Sequence, residues 1–350
     1  MVLSHSHTPA TGWLTHNAVF LGTFAPVVFF GVSGVTSAFQ SRTRPLGSLL
    51  LYYALFFLLG LSFCGVKGIN FWQQPRCEIL EGIALGTGVT LLLLRRIGRE
   101  KAGFLFPLPF LIYIAVKESV DSIPVVAGFI FPPGLFPLFP WLSFFLFGLL
   151  CHYHRRLGFG LAFGAALAYA FLCARGMGHC VKWEMNVAFF LVGVSLYGFL
   201  YAARFVVRLL PGWAVRVGRY SLLFFYVHFL VLYLWRAAGL PSLPALNWSV
   251  VFGVSVGLCL FLDRINRSIV ACRLSNPPQA VVFWTALSIA VLLLPLMVKA
   301  QYLPWVSYGC GFLFALNYRA LSDLVFKLAP GWPKPAVSKA EGNLGAHNVT

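Results

Sequence analysis

Apolar runs of about the length of a bilayer span recur along the whole chain and leave little room for any other kind of structure. A helix needs roughly 20 predominantly apolar residues to cross the hydrocarbon core. The runs fall near 17–39, 47–66, 79–94, 103–116, 134–153, 157–174, 187–203, 220–235, 247–262, 280–298 and 302–317. We therefore predict an all-helical integral membrane protein of about eleven transmembrane helices.

The composition supports this class and excludes two others. Apolar residues make up 59% of the 350 residues and charged residues 10%, against roughly 45–50% and about 25% in soluble domains. A soluble globular domain is excluded, and a disordered chain is excluded because 35 Phe, 13 Tyr and 10 Trp carry too much apolar surface. We expect a transmembrane domain over 1–317 and a cytoplasmic, partly disordered tail over 318–350.

The basic residues between the runs alternate in density from one loop to the next. Nineteen of the 26 Lys and Arg residues fall in every second loop, and the remaining seven share the other loops with five of the nine acids. Basic residues collect on the cytoplasmic side of membrane proteins. This pattern predicts a cytoplasmic C-terminus and an N-terminus outside. It also explains the net charge of +17 without nucleic acid as a partner.

The cysteines do not indicate a metal site. Most of the eight lie inside apolar runs, where a cysteine behaves as a small buried hydrophobic residue. Neither the CxxC nor the HExxH spacing occurs. We therefore expect no metal.

Ionisable residues within or beside the runs are the candidates for function, because they are costly at membrane depth. His5 has a side chain suited to general-base chemistry near neutral pH, although a solvated tail explains it as well. Glu78 and Glu81 share one helix face by their spacing, where the helix macrodipole also favours them structurally. His228 lies near the expected midplane, where it either functions or packs against a neighbouring helix.

A proline-rich and phenylalanine-rich stretch over 124–140 predicts an irregular start to the helix that follows. Such irregular backbone is tolerated at membrane depth only against protein or a wet cavity. We expect it to border a cavity on the outer side. His179, Lys182 and Glu184 could line the same opening or form a solvated loop.

Four stretches resemble one family of membrane enzymes, in the same order along the chain. They are Phe29-Phe30-Gly-Val-Ser33-Gly34, Glu78-Ile-Leu-Glu81-Gly-Ile-Ala, Pro137-Leu-Phe-Pro140-Trp141 with Gly148, and Gly218-Arg219-Tyr-Ser221 continuing to Tyr226-Val-His228. They are similar to motifs of polytopic acyltransferases of the heparan-alpha-glucosaminide N-acetyltransferase type, and the last is shared with the wider acyltransferase-3 group. The opening Met1-Val-Leu-Ser-His5 matches the end of that family's first helix.

The resemblance implies an acyltransferase that moves an acyl group, acetyl being the expected one, from cytoplasmic acyl-CoA to an extracytoplasmic sugar or glycan. His5 would act as general base or as a transient acyl carrier, and Glu78 or Glu81 would orient its ring. His228 completes the candidate catalytic set. The phosphates of CoA would bind to cytoplasmic arginines, namely Arg95, Arg96, Arg216 and Arg219.

Two other functions are compatible with the same residues. In a transporter or flippase for a lipid-linked or small anionic molecule, Glu78, Glu81 and His228 would relay protons. A non-catalytic membrane partner of another enzyme is the third possibility. In each case we expect a multi-pass protein in contact with membrane lipid, with a bacterial inner or plasma membrane as its location.

The start of the chain departs from the family pattern. The arginine that precedes the matched histidine in the family has no counterpart here, because residues 1–16 contain neither Lys nor Arg. We expect the functional protein to carry a further half-helix before Met1, which would place His5 at the outer end of a complete first span.

The alternation of basic loops generates a topology prediction. A reporter fused after Thr350 should be cytoplasmic, and single cysteines at Lys67, Asp121 and Lys182 should react with a membrane-impermeant thiol reagent from outside. Cysteines at Arg99 and Arg155 are the matched controls and should stay unlabelled in intact cells. Labelling of these two positions from outside would reverse the predicted orientation.

Overall fold

The computed structural model describes residues 20–119, 126–132, 134–182, 184–239, 244–269, 274 and 276–328. Within these ranges the chain is helical, with no strand. The α-helices are α1 Ala25–Thr43, α2 Leu46–Gly60, α3 Ser62–Val66, α4 Ile79–Arg96, α5 Pro107–Val116, α6 Leu138–Tyr153, α7 Arg155–Ala174, α8 Val187–Ala202, α9 Gly212–Arg219, α10 Ser221–Ala237, α11 Pro244–Ile269, α12 Pro277–Met297 and α13 Leu303–Leu328. The predicted all-helical class is confirmed.

Helix occupies each of the eleven apolar runs expected from the sequence. Among the described residues, four segments are long and apolar enough to cross a bilayer on their own, namely Leu46–Val66, Arg155–Ala174, Ser249–Asn266 and Pro277–Met297. A fifth span results if α9 and α10, which meet at a bend of 90°, are counted as one broken span. The membrane character is therefore supported, whereas the count of eleven spans and the orientation of the termini stay predictions.

Local sequence explains where several helices begin and end. The side chain of Asn186 caps α8 by accepting a hydrogen bond from the backbone N–H of Phe189 at 2.9 Å. Glu81 lies in the first turn of α4, and Arg95 and Arg96 lie in its last turn. Acids at the N-terminus and bases at the C-terminus both stabilise a helix through its macrodipole. The last helix, α13, continues past residue 317 to Leu328.

Helix α6 lies at the centre of the bundle. Every residue from Pro140 to Cys151 is buried, and α6 packs against α1, α4, α5, α7 and α8. By contrast, only three residues of α7 are buried, which is the pattern of a helix with most of its surface facing lipid. The expected irregular start of α6 is confirmed, because Phe139 has non-helical backbone angles and residues 131–132 and 134–137 form no regular helix.

Glycines allow α1 and α6 to approach closely. A Cβ atom on Gly34 would overlap the carbonyl of Phe145, and one on Gly148 would overlap the carbonyl of Gly31. Between these glycines, Phe30 stacks on Phe145 with ring centroids 5.0 Å apart. Small residues at helix crossings let backbones pack tightly in membranes, where lipid offers no hydrophobic driving force between helices.

Gly148→Ala should therefore destabilise the protein by about 1–3 kcal/mol, because the added methyl group overpacks the α1–α6 crossing. Gly160→Ala in α7 is the matched control, because nothing lies within 4 Å of the position that its Cβ atom would take. The control should be neutral or slightly stabilising. Thermal unfolding in detergent measures both changes, and equal melting temperatures for the two variants would contradict the crossing.

Candidate functional site

Two glutamates begin α4 and are fully buried. Glu78 is the N-cap residue, with extended backbone angles, and Glu81 lies one turn further on. Both side chains have 0% exposure. Acidic side chains are almost never fully buried unless they are paired, so this end of α4 needs a specific explanation.

Glu78 forms an ion pair with Lys67. The Nζ atom of Lys67 lies 2.6 Å from Oε2 of Glu78, and the lysine side chain is 26% exposed. Burial raises the pKa of Glu78, and the charge of Lys67 opposes this effect. Oε1 of Glu78 has no hydrogen-bond partner in the described part of the chain. The ion pair therefore satisfies only one of the two carboxylate oxygens.

The carboxyl group of Glu81 has weaker stabilising contacts than that of Glu78. Its Oε1 atom accepts a hydrogen bond from the thiol of Cys64 at 3.7 Å. Its Oε2 atom has no hydrogen-bond partner among the described residues. A thiol is a weak donor, and an ionised carboxyl group is costly to bury with so little compensation. The contacts of Glu81 therefore compensate little of the energetic cost of its burial. A purely structural role does not explain why this carboxyl group is buried.

Lys182, in the loop before α8, lies close enough to Glu78 for their charges to interact. Its Nζ atom lies 5.2 Å from the ring centroid of Phe136. Burial and the nearby charge of Lys67 lower the pKa of Lys182 from 10.5 to about 8, against the opposing effect of Glu78. We refer to Lys67, Glu78, Glu81 and Lys182 as the acid–amine cluster.

The irregular segment before α6 covers this cluster. The backbone N–H of Phe136 donates to the carbonyl of Cys77 at 2.9 Å, and the N–H of Cys77 donates to the carbonyl of Gly128 at 3.0 Å. The carbonyl of Phe136 also lies 2.8 Å from the position of a Cβ atom on Gly82. The cover is thus held by main-chain contacts on both sides of Glu78, which explains why the acids are shielded from water.

His228 lies among aromatic rings in α10. Its Nδ1 atom is 3.0 Å from the carbonyl oxygen of Phe224, which can only accept a hydrogen bond, so Nδ1 carries the proton. Phe229 lies 4.5 Å from the imidazole, measured between ring centroids. Helix α10 reaches the region of the cluster through Tyr226, whose hydroxyl shares a hydrogen bond of 2.9 Å with Ser62 in α3.

The other candidate catalytic residues are placed as follows. His5 lies outside the described residues, so its predicted role stays a prediction. His179 and Glu184, which could line the same opening as Lys182 or form a solvated loop, are both exposed. Lys67 was counted only as a loop charge in the sequence analysis. Its distance from Glu78, eleven residues along the chain, carries no periodic signal that would have identified the pair.

The arginines predicted to hold CoA are placed as follows. Arg95 lines a cavity of about 700 Å³ together with Arg42, Arg44 and Arg99, which we call the arginine cleft. Arg96 is exposed at the end of α4. The carbonyl of Arg219 accepts hydrogen bonds from Tyr318 and Arg319 in α13, and the side chain of Arg216 lies outside the described part.

No family model, characterised protein or solved structure matches the chain. The resemblance to membrane acyltransferases therefore stays a prediction from the motifs alone.

Lys182 provides a test of the cluster's electrostatics. A membrane-impermeant acylating reagent should modify Lys182 with half-maximal reactivity near pH 8, because only the neutral amine reacts. Glu78→Gln should lower this midpoint, since it removes the negative charge that favours the ammonium form. Lys67→Met should raise it. Competitive labelling read by mass spectrometry gives each midpoint, and a midpoint at the ordinary lysine value of 10.5 would contradict the burial of this amine.

Proposed function

We propose that the chain is a membrane acyltransferase that transfers an acyl group, with acetyl as the first candidate, from acyl-CoA to a hydroxyl or amine of a sugar or glycan. The observation that carries the proposal is Glu81, a fully buried carboxyl group that accepts a hydrogen bond from a thiol, next to the ion pair of Glu78 with Lys67. Buried ionisable groups at membrane depth mark functional sites by default.

The cluster supplies the groups that acyl transfer requires. A carboxylate in a dry site takes up the proton of the attacking hydroxyl or amine, either directly or through the imidazole that it orients, and such general-base catalysis contributes typically about 10²–10⁴ in rate. The amines of Lys67 and Lys182 stabilise the negative charge that develops on the thioester carbonyl oxygen. The carbon–sulfur bond then breaks, and CoA leaves as a thiol that takes up the transferred proton.

The remaining predicted catalytic residues keep the roles that the motifs imply. His5 is the general base or a transient acyl carrier, and Glu78 or Glu81 orients its ring. His228 is a further candidate from α10, the helix that contacts Ser62 close to the cluster. These roles rest on the motif resemblance, and the acid–amine cluster is the part of the site that the described side chains support.

We expect the acyl donor to bind at the end of α4 that lies opposite the glutamates. Glu81 and Arg95 are fourteen residues apart on that helix, which corresponds to roughly 20 Å along its axis. Arg95, Arg96, Arg216 and Arg219 stay the proposed partners of the CoA phosphates. The extended arm of acyl-CoA separates its phosphates from its thioester, so a donor bound at one end can present its acyl group deeper in the bundle.

In the topology that the basic loops predict, the acid–amine cluster lies on the extracytoplasmic side and the arginines lie in the cytoplasm. The proposal therefore includes a cytoplasmic donor, an extracytoplasmic acceptor and a multi-pass protein of a bacterial inner or plasma membrane.

A proton-coupled transporter is the second candidate. The complete burial of both Glu78 and Glu81 favours it, because intramembrane carboxyl groups commonly relay protons in transporters. The two proposals assign different roles to the same acids. Measuring acetyl transfer and proton-coupled uptake distinguishes them.

Purified protein in lipid should transfer label from radioactive acetyl-CoA to extracted membrane glycans or to itself. Glu81→Gln should reduce this transfer by about 10²–10⁴, because the amide keeps the shape of the side chain and cannot accept the proton. Glu184→Gln is the matched control, since Glu184 is exposed and only its backbone carbonyl has a described contact. Its activity should equal that of the unmodified protein.

Absence of transfer by the unmodified protein, together with proton-coupled uptake in vesicles that Glu81→Gln abolishes, would support the transporter instead. Normal transfer by Glu81→Gln would remove this residue from the site. Size-exclusion profiles and melting temperatures show whether each variant is folded.

A further inference from the structure

The arginine cleft concentrates positive charge in one concavity. Arg42 lies at the end of α1, Arg44 lies before α2, and Arg95 and Arg99 lie at and after the end of α4. Basic residues are expected on this side of a membrane protein and at helix C-termini. Neither rule requires side chains from two separate stretches of the chain, 42–44 and 95–99, to line the same cavity.

These arginines have no acidic partner in the described structure. None of the four forms a salt bridge with a described residue. Arg44 lies 3.6 Å from the ring centroid of Phe326, and Arg42 donates a hydrogen bond to the hydroxyl of Tyr153 at 3.4 Å. Such contacts hold a guanidinium group in place without neutralising it.

Arg99 is held in the same way, by a hydrogen bond of 3.3 Å to the carbonyl of Ser41. Three of the four arginines are thus oriented by rings, a hydroxyl and a carbonyl. Like charges that share one cavity repel each other. An anion bound between them would relieve this repulsion and use their remaining N–H donors.

The start of α2 adds donors to the same cavity. Pro45, the N-cap residue, and Leu46, the first residue of this 15-residue helix, both line the cleft. No described side chain caps the helix, so the described structure leaves its first backbone N–H groups available to a ligand. Helix N-termini favour anions through these amides and through the macrodipole.

The floor of the cleft is apolar, because Leu49, Leu91 and Leu94 line it and are buried. A volume of about 700 Å³ lies within the range of roughly 300–1,000 Å³ that is typical of small-molecule sites. The cavity therefore has room for more than a single inorganic anion.

We infer that the arginine cleft is a binding site for a ligand that carries phosphate groups. Guanidinium forks match phosphate oxygens in geometry and charge. Two sources offer this chemistry on the basic side of a membrane, a soluble phosphorylated molecule and the headgroup of an anionic phospholipid. The inference concerns Arg42, Arg44 and Arg99 as well as Arg95, and it does not depend on acyl transfer.

Binding to the full-length protein in phosphatidylcholine nanodiscs tests the site with two probes. Adenosine 3′,5′-bisphosphate, titrated by calorimetry, represents the soluble source. Phosphatidic acid, introduced into the nanodiscs and counted by native mass spectrometry, represents the lipid source. At least one probe should bind, and its affinity should fall as the salt concentration rises, because the interaction is between charges.

Arg95→Gln and Arg99→Gln should each weaken the binding of that probe by about ten- to a hundredfold in Kd, which corresponds to one charge-assisted interaction. Arg95→Lys should give an intermediate loss, since it keeps the charge and loses the fork. Arg156→Gln is the matched control, because Arg156 is exposed at the start of α7 and does not line the cleft. Its Kd should be unchanged.

The two probes then assign the source of the phosphate. Cleft-dependent binding of the bisphosphate alone supports a soluble ligand, and cleft-dependent binding of phosphatidic acid alone supports a lipid headgroup. Binding of neither probe, or equal weakening by Arg156→Gln and the cleft variants, overturns the inference. The outcome is separate from the acetyl-transfer assay, because binding is measured without any acyl donor or acceptor.

Discussion

The close contact of α1 with α6 is the constraint on which the rest of the described structure depends. Helices in a membrane gain little from hydrophobic burial against each other, so their association relies on tight packing. Gly34 and Gly148 bring the two backbones together. Phe30, Phe145 and Trp141 fill the space beside this crossing. Gly86 of α4 packs directly on the ring of Phe145, so the same crossing fixes the position of α4.

The position of α4 in turn determines the environment of its first turn. The glutamates there lie under the irregular segment before α6, which is bonded to Cys77 through main-chain groups. Water is excluded, and the energetic cost of burying two carboxyl groups is only partly offset by Lys67. Acids at the start of a helix are stabilised by its macrodipole whether they are buried or solvated. The macrodipole therefore does not explain why both carboxyl groups are completely buried.

The two ends of α4 carry opposite chemistry. Acids and amines meet at its start, whereas arginines without acidic partners among the described residues meet at its end. In the proposed acyl transfer, this separation would keep the positive charge of the arginines away from Glu81, where it would lower the basicity of the carboxylate. Helix α4 holds the two groups of side chains at a constant distance.

The sequence alone was sufficient for the helical class, the positions of the apolar helices and the irregular start of α6. Each of these depends on local features, namely run length, composition and the backbone restrictions of proline. The placement of Glu78 and Glu81 on adjacent turns also follows from helix periodicity. Spacing within a single element is a local property, and it needs no knowledge of what packs against that element.

Only the tertiary structure decided which charged residues share a site. Lys67 and Lys182 reach the glutamates from two separate loops, and Arg42 and Arg44 meet Arg95 and Arg99 from a separate stretch of the chain. No periodicity connects residues of different stretches, because their proximity is set by the order in which helices pack. The tertiary structure likewise placed His228 among aromatic rings. Burial depends on the neighbouring helices, so a side chain's environment cannot be obtained from its depth in one span.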